Sequence, residues 1–269
     1  MDEKRLRHCP LCGHDKATQL PNYSKDGWIN VRCQRCSLVY LGNPPDYTLL
    51  EEEYAWEKTS REKKKENRKG STFLSPAARK ARNLLRPFRG NDDFFHRLFG
   101  NGAVLDIGCG PGHRLKPPIT PFGIELSVEL HALADRRMRD AGGYCLHGAG
   151  AERIWDFPES HFDGILMHSY LEHEKDIVNV MQGANRALKP GGHVYVRVPN
   201  FGSINRRVLG RRWCGFRFPD HVNYFDRHTL KRLAGQTEFD FSLTNFIRLP
   251  FDDNLLVVLK KSEDVEDRL

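Results

Sequence analysis

Between Val104 and Gly112 the chain reads Val-Leu-Asp-Ile-Gly-Cys-Gly-Pro-Gly. The short apolar run with one acid, Asp106, suits a buried parallel strand. Gly108, Gly110 and Gly112 then let the backbone turn tightly and come close to a ligand, because none carries a Cβ. A dinucleotide fingerprint needs G-x-G-x-x-G, and its sixth position here is His113, so the spacing is G-x-G-x-G instead. Further on, Pro121-Phe-Gly-Ile-Glu125 reads as a second strand ending in an acid, suited to holding a ribose diol through two hydroxyl hydrogen bonds.

A second chemistry is written in the cysteines. Cys9-Pro-Leu-Cys12 and Cys33-Gln-Arg-Cys36 are two C-x-x-C turns separated by twenty residues. Each turn sets two sulfurs on one side, and two such turns facing each other make a closed tetrahedral zinc site. Four thiolates leave no open position for water, so the expected role is structural. The other three cysteines, Cys109, Cys145 and Cys214, lie apart and read as core or loop residues.

The elements that must position these groups follow from periodicity. Residues 1–42 form the zinc module, with strands expected at Trp28-Ile-Asn-Val-Arg32 and Leu38-Val-Tyr-Leu41. Residues 43–100 read as a charged, helical linker or cap, with helices expected over 48–69 and from Ser75. From residue 101 the pattern alternates strand and helix. Strands are expected at 103–107, 121–125, 143–147, 162–168 and 193–199, with helices at 127–141, 176–188 and 227–236. An insertion runs over 200–225, and 241–249 with 254–261 would close the sheet as an antiparallel pair. Such alternation implies an α/β fold with a doubly wound, Rossmann-like sheet and ligands at the carboxyl ends of its strands. Pro117-Pro118 cuts short the helix that should follow the glycine loop, leaving only residues 113–120.

At 269 residues, 39% hydrophobic and 29% charged, the chain is globular in composition and long enough for a full core. No apolar run approaches the ~18 residues of a membrane span. The start lacks an apolar leader segment, so a cytoplasmic location without disulfides is expected. The net charge of +7 is uneven: residues 1–100 hold 20 Lys+Arg against 13 Asp+Glu, while residues 101–269 hold 22 against 22.

The glycine loop followed by a strand-end acid resembles the class I S-adenosylmethionine (SAM)-dependent methyltransferases. Four further blocks match in order: Phe157-Pro-Glu-Ser-His-Phe-Asp163, Leu171-Glu-His173, Leu188-Lys-Pro-Gly-Gly192 and Pro199-Asn-Phe-Gly-Ser203. Arg212-Trp213, Pro219-Asp-His221 and Tyr224-Phe225 look like a subgroup that includes ubiquinone-pathway O-methyltransferases and sugar methyltransferases. The resemblance implies a seven-stranded sheet and SAM as cofactor. It also implies roles: Asp106 fixes the loop, and Gly108, Gly110 and Gly112 pass under the methionine half. Glu125 takes the ribose, Leu126 packs beside adenine, Ala151 and Glu152 line its edge, and His168 lies near the methionine moiety. His173 is then the candidate general base, with Asp176 to orient it. His221, with Asp220, competes for that task. With the first helix shortened, His113 or Arg114 would meet the cofactor's carboxylate instead of a helix N-terminus.

The implied substrate is a small molecule carrying a hydroxyl, such as a sugar, nucleotide-sugar or lipid-type intermediate. Arg206, Arg207, Arg211, Arg212 and Arg217 around Trp213 would suit a phosphate-bearing acceptor or form a solvated surface. Two other readings stand beside this one. A zinc-ribbon RNA methyltransferase would use the same arginines, with Trp213 stacking on a base. A non-catalytic binding protein on this fold would explain the shortened helix.

Overall fold

A computed structural model describes residues 6–45, 92–245, 249 and 251–261. The helices expected over 48–69 and from Ser75 lie outside them. Three strands build the N-terminal module: β1 (Ala17–Gln19), β2 (Asn30–Cys33) and β3 (Val39–Leu41). Helix α1 (Asp92–Phe99) precedes the main sheet. That sheet collects β4 (Ala103–Ile107), β5 (Thr120–Glu125), β6 (Cys145–His147), β7 (Phe162–His168), β8 (Leu188–Pro199), β10 (Phe239–Leu243) and β11 (Asn254–Lys261). Its helices are α2 (Val128–Asp140), α3 (Gly150–Arg153), α4 (Ile177–Ala187) and α6 (Arg227–Gln236). The insertion supplies α5 (Ile204–Leu209) and β9 (Asn223–Tyr224).

The seven strands run in the order β10-β11-β8-β7-β4-β5-β6. The five from β6 to β8 are parallel, and β11 is antiparallel to both its neighbours. Chain direction reverses across β4: β5 and β6 go to one side, β7 and β8 to the other. A crevice therefore opens at the carboxyl ends of β4 and β7, where such sheets bind ligands. Caps fix where the flanking helices start. Ser127 accepts from Leu130 N at α2, Asp176 from Asn179 N at α4, and Asp226 with Thr229 forms a capping box at α6.

Some boundaries differ from those expected. β8 begins at Leu188 rather than His193, so the Lys-Pro-Gly-Gly turn is drawn into the strand with a register irregularity against β7. β10 begins at Phe239 and ends at Leu243, not Leu249. No helix forms between Ile107 and Thr120, so not even the shortened helix expected over 113–120 is present. Leu115 and Ile119 of that segment are instead buried with Phe95 and Phe99 of α1, Val104, Leu166 and Tyr195. A helix from before the sheet thus covers the face that a crossover helix would cover.

The two parts of the molecule share a sheet. β3 pairs antiparallel with β9, Val39 against Tyr224 and Tyr40 against Asn223, so the module's sheet reads β1-β2-β3-β9. Sequence periodicity gave no sign of this, because a two-residue strand has no period to detect. Among the described residues no helix is long and apolar enough to cross a membrane.

Candidate active site and cysteine cluster

The carboxyl ends of β4 and β5 form one wall. Asp106 is buried; its Oδ2 lies 3.5 Å from Arg114 Nη1 and its Oδ1 has no partner. Burial pushes its pKa up to about 6, against the opposing pull of Arg114. Gly108 sits at φ +69°, and a Cβ there would meet the Tyr170 ring at 3.0 Å. Gly112, at φ +72°, would set a Cβ 3.1 Å from Ala134 Cα of α2. Between them, Gly110 N donates to Glu125 Oε2 at 2.7 Å, and Ser127 N donates to Glu125 Oε1 at 2.9 Å. The two amides fix the direction in which the carboxylate points.

Leu126, next to Glu125, is half-buried, and its carbonyl lies 2.9 Å from His147 Nε2. Ala151 is buried in α3, its carbonyl accepting from Asn179 Nδ2, while Glu152 is exposed. His168 ends β7 with its Nδ1 buried and unpartnered. Burial, and then the Arg197 and Arg114 charges, press its pKa down to about 3, so its ring is neutral.

The loop after β7 connects this wall to a second cluster. Tyr170 lies against Gly108, and its hydroxyl donates to Glu174. His173 Nδ1 is 2.8 Å from the Asp220 carbonyl, and His221 Nδ1 is 2.8 Å from the Gly215 carbonyl. A carbonyl only accepts, so each Nδ1 carries a hydrogen at that contact. The two rings meet edge to face with centroids 4.7 Å apart. One donor atom each from Glu172, His173 and His221 lies within 4.8 Å of the others. Glu172 is 2% exposed with an unpartnered Oε2, and burial raises its pKa to about 8 despite nearby Arg197 and Arg217.

His173 and His221, which the sequence sets up as rivals, therefore stand together. Asp176 spends its carboxylate capping α4, and the group meeting His173 Nδ1 is the Asp220 carbonyl. The Asp220 carboxylate faces Arg217 at 3.3 Å. Sequence reasoning undervalued Glu172, whose backbone carbonyl holds the amides of Val222 and Asn223 while its side chain stays with the histidines. The insertion's arginines also need correcting. Trp213 is 1% exposed and donates to Asp253, so it offers no face to a base. Arg206 bonds the Phe201 carbonyl, and Arg211 bonds the Asn22 carbonyl of the N-terminal module, so both serve internal structure.

In the N-terminal module, Sγ of Cys9 and Cys36 are 3.4 Å apart, those of Cys12 and Cys33 3.6 Å, and all four lie within 4.8 Å of one another. Four sulfurs at ~2.3 Å from a tetrahedral zinc would sit ~3.8 Å apart, so the donor set fits that ion. Amides of Arg35 and Cys36 point at Cys33 Sγ, as a thiolate favours.

Comparison with known proteins agrees with this geometry. A family profile described as a methyltransferase domain matches residues 77–243. The ubiquinone biosynthesis O-methyltransferase of Paracidovorax citrulli is 30% identical over 111 residues, 39% of this chain and 44% of that protein. Its namesake from Idiomarina loihiensis is 30% identical over 137 residues, 46% of this chain and 51% of that one. The chain thus spans about half the length of these curated relatives. A SAM-dependent methyltransferase structure from Archaeoglobus fulgidus superposes with a TM-score of 0.50 at 15% identity, covering 66% of this chain and 98% of that one, which shows the shared fold. Because the profile takes in well over half of its residues, the chain belongs to the methyltransferase-domain family.

Proposed function

We propose that the protein transfers the methyl group of SAM to a hydroxyl of a small-molecule acceptor. The observation that carries this is the Glu125 carboxylate, held by Gly110 N and Ser127 N beside a glycine loop that Tyr170, three residues before His173 of the Glu172–His173–His221 cluster, packs against. SAM, when bound, supplies an electrophilic methyl carbon on a sulfonium. Glu125 accepts from its ribose hydroxyls, Asp106 with Arg114 holds the glycine loop, and Leu126 with Ala151 and Glu152 flanks the adenine. Arg114 takes the role of meeting the cofactor's carboxylate. The neutral His168 adds no charge to repel a sulfonium.

His173, half-buried beside the more enclosed His221, takes the acceptor's hydroxyl proton on Nε2. With SAM bound, that oxygen would be the nucleophile toward the methyl carbon and the thioether the leaving group, with His173 holding the displaced proton. His221 and Glu172 enclose the base. The chain's main contribution is alignment and exclusion of water. Zinc, held by Cys9, Cys12, Cys33 and Cys36, is structural in this reading.

Calorimetric titration with SAM, followed by methyl-labelled SAM offered to a metabolite extract and, in parallel, to cellular RNA, tests the proposal. One-to-one binding and a labelled small-molecule product are expected. Failure of SAM to bind refutes the reading, and label recovered only in RNA would reassign the acceptor.

A further inference from the structure

Arg7 stands in the segment leading to Cys9, yet it bonds both chain segments that carry the candidate histidines. Its guanidinium Nε donates to the Leu41 carbonyl at 2.9 Å. Its Nη1 donates to the Lys175 carbonyl at 3.2 Å. Its Nη2 donates to the Val222 carbonyl at 2.9 Å and to Asn223 Oδ1 at 3.2 Å. Lys175 lies two residues after His173, and Val222 directly follows His221. One planar fork thus ties the cysteine module to both chain segments that carry the imidazoles.

The surrounding bonds make that tie specific. Leu41 N donates to the same Val222 carbonyl at 2.9 Å, continuing the β3–β9 pairing. Val222 N and Asn223 N donate to the Glu172 carbonyl at 2.7 and 3.1 Å. Asn223 Nδ2 reaches the carbonyls of Leu171 and Glu174 at 2.9 and 2.6 Å. Arg7 also lies over the Tyr40 ring, 5.4 Å from its centroid. A guanidinium can satisfy these four acceptors on three segments in fixed directions, whereas an ammonium acts as a point charge.

We infer that Arg7 is a positioning residue for the His173–His221 pair, so that the cysteine module serves as the frame of the acceptor site. The inference rests on the proposed reaction for its kinetic consequence alone. Misplacing a base by about 1 Å costs on the order of 10²-fold in rate, and the four Arg7 bonds described go to Leu41 and to the histidine-bearing segments, not to β4 or β5 of the SAM wall.

The test uses the full chain in its zinc-loaded form, as wild type, Arg7→Met and Arg7→Lys, with ¹³C-labelled histidine. In Arg7→Met the ring signals of His173 and His221 should shift and amide exchange should rise at residues 222–224. Zinc content and SAM affinity should hold. Once an acceptor is known, kcat should fall about 10²-fold at unchanged KM for SAM, with Arg7→Lys between the two. Unchanged ring signals and exchange in Arg7→Met would overturn the inference. So would a loss of SAM affinity in step with kcat, which marks general destabilisation. If Arg7→Met does not fold, Arg7→Lys decides on the same ring-signal and exchange criteria. If wild type binds no SAM, the proposed reaction falls, but the resonance and exchange measurements still decide the role of Arg7.

Discussion

Glu125 does two things at one position, and both follow from its place at the end of a strand. It receives Gly110 N and Ser127 N, which fixes its rotamer and the glycine loop together. Glu125→Ala should therefore weaken SAM binding by about 1–3 kcal/mol, through lost charge-assisted bonds, as read by calorimetry. Unchanged affinity would mean that the ribose is held elsewhere. His173→Ala should lower turnover by roughly 10²–10⁴-fold with SAM affinity retained. If His221→Ala alone abolishes turnover, the base is His221. Glu172 gives a prediction that needs no substrate. Its folded pKa of about 8 lies above the ordinary 4.5, so the folded state keeps a proton that the unfolded chain releases. That contribution to stability is full below the lower value and is lost as pH rises through the upper one. Asp106, raised to about 6, acts in the same sense over a lower range. His168, lowered to about 3, acts in the opposite sense, its contribution being lost as pH falls below 6.5. Subtracting wild type from Glu172→Gln cancels both of those. The variant's relative Tm should climb between about pH 5 and pH 8, and a flat difference would show that Glu172 is ionised throughout.

At the scale of elements, the glycine loop works because two of its residues sit against other elements. Gly112 is pinned by Ala134 of α2, and its backbone is left-handed as well. Gly112→Ala should cost about 1–3 kcal/mol from strain and overpacking together, read as a drop in denaturation midpoint. A midpoint within error of wild type would mean that α2 moves freely away. Strands such as Ala103–Ile107 and Phe162–His168 were legible because a buried parallel strand is a continuous apolar run, and α2 through its N-cap Ser127, whereas Asp176, expected to orient His173, caps α4 instead. The cysteine pairs and the strand-end acid were legible because their chemistry is local. The meeting of His173 with His221 was not, since 47 residues lie between them in sequence and tertiary pairing through β9 unites them. Nor was the burial of Trp213, because an aromatic among arginines looks the same whether it faces solvent or Asp253.

At the scale of the molecule, the cysteine module and the methyltransferase domain are joined by a shared strand pair, by Arg7 and by a contact around Tyr23. Tyr23 stacks on Phe216 at 5.1 Å between centroids and meets Phe201 edge-on at 6.2 Å, and Arg206 reaches its hydroxyl. The module has few buried residues of its own besides the cysteines, Leu11, Val31 and the β3 strand. A small core of that kind depends on its metal, because binding free energy is folding free energy there. We expect about one zinc per chain and a loss of order in the module when a chelator removes it. The consequence should travel along the joint: amide protection should fall at residues 200–225, which pack on Tyr23 and β3, while β4 and the Gly108–Gly112 loop keep theirs. Zinc content by metal analysis, and exchange measured before and after chelation with Cys33→Ser as the genetic counterpart, check both parts. Protection lost equally in the insertion and in the glycine loop would mean the molecule unfolds as one unit. Protection retained in the insertion would mean that the shared sheet does not depend on the metal.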